Sequence, residues 1–205
     1  MRARTDSPWC HTNLSVAKKG KNIFFDRKGD DGLSPVAWGF INRILANAGD
    51  ICLILNSSVN AYRRLDPRFE APNQIKVSSS DRGSMIRIPI GNERTARIEV
   101  RSIAPDANPY LAIYTLLKTG LEGPAAEDGM GQRTRHLPDN IYDAIRLFKA
   151  SKYAQELLGA DVHEKYAELK LAAAERCPKA LGSRVKRSEI QFHHEVTNQY
   201  LWGLF

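Results

Sequence analysis

Two short segments in the middle of the chain alternate between apolar and polar residues, and this pattern constrains the fold most strongly. Alternation at every second position is typical of β-strands with one buried face. It covers residues 85–90 and 95–101, where isoleucine, alanine and valine recur at every second position. The Gly91-Asn92 pair between the two segments favours a turn. We therefore predict an antiparallel β-hairpin.

The polar face of this hairpin is highly charged. The second strand presents Arg97, Glu99 and Arg101 together, and the first strand presents Arg87. Residues 60–101 hold nine basic and five acidic side chains, and eight of the nine cations are arginine. Arginine binds phosphate and carboxylate through two parallel hydrogen bonds. The alternatives are a solvated basic face, a nucleic-acid patch, or an anion pocket in which a metal ion bridges Glu99 to a phosphate.

Length and composition limit the class of protein. The chain has 205 residues and a formal net charge of +7, with 42% hydrophobic and 26% charged residues. These values suit a globular domain and exclude a disordered chain. Three scattered cysteines exclude a disulfide framework or a zinc cluster. The longest apolar run, residues 51–55, is too short for a membrane span, and the first residues lack a signal-peptide core. We therefore expect a cytoplasmic protein that does not enter a membrane.

Helix signals precede the hairpin. Ser34 followed by Pro35 is a typical helix start, and this helix should run to about Asn47, with Gly49 as its stop signal. Residues 51–55 form either a buried strand or a buried helix, because periodicity does not distinguish the two.

The rest of the chain adds one strand and several helices. Residues 74–79 form a third predicted strand, and a helix is predicted from Asp106 to Gly120. After a polar loop at residues 122–137, further helices are predicted at about 139–158, 162–177 and 186–201. This order predicts an α+β fold, with an antiparallel sheet, flanking helices and a helical C-terminal part.

Six short motifs occur in an order that resembles one enzyme family. They read CHTN (10–13), GKNIF (20–24), NAYRRLDPRFEAP (60–72), RGSMIRIP (82–89), RIEVR (97–101) and DANPYL (106–111). Together they resemble the C-terminal catalytic domain of glutamine synthetase, from about residue 10 to the C-terminus. No single motif is specific, but their agreement in order and near-family spacing is a strong signal.

The resemblance implies an incomplete domain of the glutamine synthetase, guanido kinase-like fold. Residues 1–9 would be an irregular start without a match, residues 10–121 the sheet and active-site part, and residues 138–205 the helical tail. The implied reaction is phosphorylation of the glutamate side chain by ATP, followed by attack of ammonia on the acyl phosphate. It implies Mg²⁺ or Mn²⁺ as the metal and either a homo-oligomer or a partner chain, without nucleic acid.

The resemblance also implies metal-binding and substrate-binding residues. His11 and Glu99 would hold the divalent metal on the nucleotide phosphates. Arg64 and Arg101 would hold the glutamate substrate and the phosphoryl-transfer region. Glu70 would close the site and help deprotonate ammonium.

Three further arginines are implied on the ATP side. Arg82 and Arg87 would face the ATP phosphates. Arg94 lies near a further basic position, although the turn here is about one residue shorter than in the family. The catalytic residues by this resemblance are Glu70, Arg64 and Arg82.

The chain departs from the family in length. The family's enzymes are much longer and carry an N-terminal β-grasp domain and additional metal-binding glutamates that have no counterpart here. Ser7-Pro8-Trp9 stands where the family has a glycine-rich lead-in. We expect either a gene fragment with a mis-assigned start, or a short protein that works beside a partner chain carrying the missing half.

Two other functions remain alternatives. One is a ligase of the same fold that joins glutamate to an amine instead of ammonia. The other is a non-catalytic fragment that acts as an interaction module or as a basic nucleic-acid binder, for which salt-sensitive affinity is expected. Few aromatic residues stand among the arginines, which weighs against nucleic acid.

Overall fold

The chain folds into a four-stranded sheet covered by helices. The computed structural model describes residues 10–65, 72–125 and 136–180, without the side chains of Arg63, Arg64 and residues 176–180. The irregular start at 1–9, Glu70 and the predicted helix at 186–201 lie outside the described residues. The strands are β1 (Cys10–Leu14), β2 (Ala17–Lys18), β3 (Lys21–Asn22), β4 (Gln74–Ser78), β5 (Ser84–Arg87) and β6 (Ile98–Ile103). The helices are α1 (Pro35–Ala46), α2 (Ala48–Leu55), α3 (Val59–Arg64), α4 (Pro109–Glu122), α5 (Ile141–Ala150), α6 (Lys152–Leu158) and α7 (Ala160–Ala180).

The main sheet has the strand order β1-β6-β5-β4. Strand β6 is antiparallel to both of its neighbours, which confirms the predicted antiparallel pairing of β5 and β6. Strand β4 runs parallel to β5, so the prediction of a wholly antiparallel sheet is wrong for this pair. The loop after β4 returns the chain to the start of β4 before β5 begins. There the Gln74 amide donates to the Gly83 carbonyl at 3.0 Å, so the two strands start side by side and run in the same direction. The predicted α+β class is confirmed.

The loop between β5 and β6 is longer than predicted. Asn92 Oδ1 accepts hydrogen bonds from the amides of Arg94 and Thr95 at 3.0 and 3.2 Å, so a turn occupies residues that the alternation assigned to a strand. At the other end, β5 stops before Pro89, which has no N–H to donate to a ladder. Ile90 is fully exposed, although the alternation placed it on the buried face.

The first helix pair confirms one helix boundary and corrects another. The Ser34 hydroxyl accepts from the Ala37 amide at 3.3 Å, as expected of an N-cap before proline. The break between α1 and α2 falls at Asn47. The Asn47 Nδ2 donates to the carbonyls of Arg43 and Pro124 at 2.7 and 2.9 Å. Gly49 therefore lies inside α2, and its prediction as a stop is wrong. Residues 51–55 are helical and almost completely buried.

Gly120 lies inside α4 and does not end it, contrary to the prediction. A Cβ atom at Gly120 would lie 2.3 Å from Cζ of Phe40, so glycine is needed where α1 and α4 approach closely. The N-cap of α4 is Asn108, whose Oδ1 accepts from the amides of Tyr110 and Leu111 at 3.0 and 3.2 Å. The helix thus starts three residues after Asp106.

The helical tail packs on α2. The predicted helix at 139–158 is divided at Ser151, whose hydroxyl accepts from the Ala154 amide at 3.0 Å and begins α6. Phe148 belongs to the same buried cluster as the isoleucines of the sheet and of α1. Among the described residues, no single helix is long and apolar enough to cross a membrane, and α1 with α2 would qualify only as a pair bent by 79°.

Candidate active site

The sheet brings three basic side chains around one carboxylate, that of Glu99 on β6. Strands β1 and β5 flank β6, so the residues paired with Glu99 share its face of the sheet. Its partners across the ladders are Arg87 on β5 and Asn13 on β1. His11 lies two residues before Asn13, and Arg101 two residues after Glu99, so both return to the same face.

Glu99 is held by the three basic side chains at short distances. Arg87 donates from Nε to Oε1 at 3.3 Å and from Nη2 to Oε2 at 2.5 Å. His11 Nδ1 lies 3.1 Å and Arg101 Nε 3.5 Å from Oε1. Glu99 is only 4% exposed, whereas the Arg87 side chain is 41% exposed. A buried carboxylate therefore orients a guanidinium group that still reaches solvent.

The charges of this cluster control its protonation. Burial alone would raise the pKa of Glu99, but the hydrogen bond from Arg87 and the charges of Arg87, His11 and Arg101 hold that pKa below its ordinary value. The pKa of Arg87 is raised by its hydrogen bond to Glu99. Burial lowers the pKa of Arg101. Glu99 is therefore ionised at neutral pH, and its single negative charge faces two guanidinium groups.

A loop between β4 and β5 carries Arg82 beside this cluster. Asp81 shapes the loop, since its Oδ1 accepts from the Gly83 amide at 2.7 Å and its Oδ2 pairs with Lys76 Nζ at 2.6 Å. The hydrogen bonds from Lys76 and Gly83 hold the pKa of Asp81 below its ordinary value. Arg101 Nη1 donates to the Arg82 carbonyl at 2.5 Å and thereby ties the loop to the cluster.

Two further arginines of the predicted set, Arg94 and Arg97, lie between β5 and β6. Arg97 precedes β6, and it donates to Asn13 Oδ1 at 3.0 Å and to the Thr95 carbonyl at 3.1 Å. Arg94 lies on the exposed turn between β5 and β6. Asn13 therefore lies on the same face of the sheet as Glu99 and contacts Arg97. It was not among the predicted site residues, although its position two residues after His11 indicates that both share one face of a strand.

Arg64 lies at the end of α3, and Glu70 belongs to the segment between α3 and β4. Arg64 is the last residue of α3, and its side chain and Glu70 are not among the described atoms. The described ends of this segment are held together, because Asn73 Nδ2 donates to the Leu65 carbonyl at 3.0 Å. The structure thus places the root of this loop and does not test the roles expected of Arg64 and Glu70.

The donor atoms for a metal are few. Within residues 10–65, 72–125 and 136–180, no three His, Cys, Asp or Glu side chains form a group that could hold a metal ion. His11 and Glu99 are donors of a type that divalent cations accept, but they supply two of the about six ligands that Mg²⁺ requires. Their chemistry fits a divalent ion only if phosphate oxygens, water or other groups complete its coordination.

The fold and the site together define an α+β protein whose sheet holds a buried carboxylate within an anion-attracting arginine cluster. Residues 4–193 match the family model described as glutamine synthetase, catalytic domain. The chain belongs to this family.

Named relatives agree with this assignment. The chain is 36% identical over 179 residues to a glutamine synthetase of Clostridium saccharobutylicum, which covers 79% of this chain and 40% of that protein. It is 36% identical over 173 residues to one of Methanosarcina mazei, covering 76% and 39%. It is 33% identical over 177 residues to one of Staphylococcus epidermidis, covering 78% and 40%. The chain thus spans about 40% of the length of these curated relatives.

Proposed function

We propose that this chain forms the phosphate-binding part of an enzyme that joins ammonia to glutamate with ATP. The cluster of Arg87 and Arg101 around Glu99 supports this proposal. One buried carboxylate faces the two permanent positive charges of Arg87 and Arg101, so the cluster keeps an excess positive charge. An anion such as a phosphate would offset that excess at the exposed part of Arg87.

Phosphoryl transfer would use the positive charges of these arginines. This reaction depends on positioning and on neutralising charge as the phosphoryl group moves. Glu99 fixes the guanidinium of Arg87, and Arg101 anchors the loop that carries Arg82. We infer that Arg82 and Arg87 bind the ATP phosphates, with Arg94 at the rim. His11 and Glu99 would hold Mg²⁺ or Mn²⁺, which would neutralise phosphate charge.

The proposed ligation of ammonia to glutamate has two steps. The side-chain carboxylate of glutamate attacks the γ-phosphorus of ATP, and ADP leaves. Ammonia attacks the resulting acyl phosphate, and inorganic phosphate leaves. We infer that Arg64 and Arg101 hold the glutamate, and that Glu70 accepts the proton that ammonium releases.

The short span of the chain bears on partners and place of action. Since the chain spans about 40% of the length of its relatives, we propose that the remaining groups come from another part of a longer chain, which would form a homo-oligomer, or from a partner chain carrying the other part. Residues 10–121 would contribute the active-site part and residues 138–205 the helical tail. Three scattered cysteines favour the reducing cytoplasm.

Calorimetric titration of Mg-ATP into the purified chain tests this proposal. We expect saturable binding, weakened at least tenfold by Arg87→Gln. The matched control is Arg146→Gln, which removes an exposed arginine of α5 that pairs with Asp143 at 3.2 Å. Absence of heat from a chain with a folded far-ultraviolet spectrum would contradict phosphate binding by this chain. Equal weakening by both substitutions would assign it to general charge.

A further inference from the structure

A short hairpin that follows β1 carries three exposed lysines. Strands β2 and β3 pair with Lys18 directly opposite Lys21. The turn between them is Lys19-Gly20, with φ angles of 52° and 76°, as a tight two-residue hairpin turn requires. The three lysine side chains are exposed. Like charges directly opposite each other destabilise a strand pair, so this hairpin is less stable than an uncharged one would be.

The hairpin is attached to the turn between β5 and β6. The Asn22 Nδ2 donates to the Ala96 carbonyl at 2.7 Å. The turn carries Arg94, which is exposed, and ends at Arg97, which donates to Asn13 Oδ1 at 3.0 Å. The two segments therefore present their basic side chains at the same end of the sheet. These side chains are here called the basic rim, and they are Lys18, Lys19, Lys21, Arg94 and Arg97.

The basic rim carries an excess of positive charge. Residues 15–22 and 91–97 hold five basic side chains and one acidic side chain, that of Glu93. No described carboxylate forms an ion pair with the three lysines or with the exposed arginine of the turn. Lysines on the helices differ, because Lys118 and Lys165 each pair with a carboxylate four residues away. The rim therefore attracts anions.

The basic rim lies close enough to the Glu99 cluster to act on the same ligand. Ala96, where the hairpin is attached, precedes Glu99 by three residues, a span of about 10 Å when fully extended. The field of a charge extends over about 10 Å at 0.1 M ionic strength. An anion that approaches the exposed guanidinium of Arg87 is therefore within the field of the rim. Positive charge beside a site raises the rate at which anions arrive more than the strength of the final complex.

We propose that the basic rim steers Mg-ATP, which carries a net negative charge, toward the Glu99 cluster and raises its association rate constant. Steering depends on the proposed phosphate-binding function, because it delivers the nucleotide to that site. Stopped-flow fluorescence with a fluorescent ATP analogue and Mg²⁺ tests this on the purified chain. The variant combines Lys18→Gln with Lys21→Gln, which removes two rim charges and the unfavourable cross-strand pair.

The expected change is in association and not in dissociation. At about 0.01 M ionic strength, where the screening length is about 30 Å, the association rate constant of the double variant should fall at least threefold. Its dissociation rate constant should change less than twofold. The difference from wild type should disappear at about 1 M, where the screening length is about 3 Å. The matched control combines Lys149→Gln with Lys152→Gln, at two exposed lysines of the helical tail.

Three results overturn steering while the proposed function stands. One is an association rate constant of the rim variant equal to that of wild type. Another is an equal loss in the control, which would assign the effect to the net charge of the chain. The third is faster dissociation with unchanged association, which would make the lysines direct ligands of the nucleotide. A wild-type chain that does not bind the analogue would contradict the proposed function, and steering with it.

Discussion

Glu99 and Arg87 face each other across the β5–β6 ladder and are joined by two hydrogen bonds, one from Nε and one from Nη2 of the arginine. The pair links the register of the hairpin to the geometry of the site. If one strand slipped by one residue, Glu99 and Arg87 would lie on opposite faces of the sheet. It also gives a fixed direction to a guanidinium group that remains open to solvent. The fold and the proposed phosphate site therefore depend on the same contact.

Replacing the central carboxylate should destabilise the fold. Glu99→Gln keeps the side-chain volume but leaves Arg87 and Arg101 without their shared anion, so we expect a loss of about 1–3 kcal/mol in the free energy of unfolding. Urea denaturation measures this loss. The control is Glu122→Gln, at an exposed carboxylate that pairs with Lys118 on α4. A midpoint that shifts equally in both variants would contradict a special role of Glu99.

The Glu99 cluster should also make stability depend on pH. The pKa of Glu99 is held below the ordinary value of 4.5 in the folded state. The stabilisation from Glu99 is therefore complete above about pH 4.5 and is lost as the pH falls through the folded-state pKa. The difference in unfolding free energy between wild type and Glu99→Gln should shrink below that pH. A constant difference across the acid range would be inconsistent with ionised Glu99.

Two glycines inside helices should respond in opposite ways to alanine. Gly120→Ala introduces a Cβ that would lie 2.3 Å from the Phe40 ring, and we expect a loss of about 1–3 kcal/mol. Gly49→Ala introduces a Cβ 3.5 Å from Leu147 Cδ1, which is an ordinary contact. It should stabilise α2 by about 0.5–1 kcal/mol, because alanine favours the helix. Thermal unfolding of both variants checks the signs.

Metal should bind through His11 together with ATP. His11→Ala removes one of the two described donors, so the affinity for Mn²⁺ in the presence of ATP should fall at least tenfold. His136→Ala serves as the control, since His136 is exposed at a bridge to Gln74. Titration followed by electron paramagnetic resonance measures the free Mn²⁺. Unchanged affinity in His11→Ala would place the metal elsewhere.

Much of the candidate site was predictable because it depends on local alternation. The two-residue repeat assigned Glu99 and Arg101 to one face and Arg87 to the neighbouring strand, and the structure brings these three into contact. The contact of His11 with Glu99 was expected only from the family resemblance, since the two residues are far apart in sequence. The loop geometry of Asp81 was not predicted, because it depends on a lysine side chain from β4.

Local sequence patterns were sufficient to predict the α+β class, the pairing of β5 with β6 and the cap at Ser34. Each of these depends on interactions between residues close together in the chain. Tertiary structure alone decided that residues 51–55 are helical, because a segment buried on all sides carries no periodic signal. It also decided that Gly120 belongs inside α4, where the ring of Phe40 leaves no space for a side chain. The parallel placement of β4 was likewise decided by hydrogen bonds that no local pattern records.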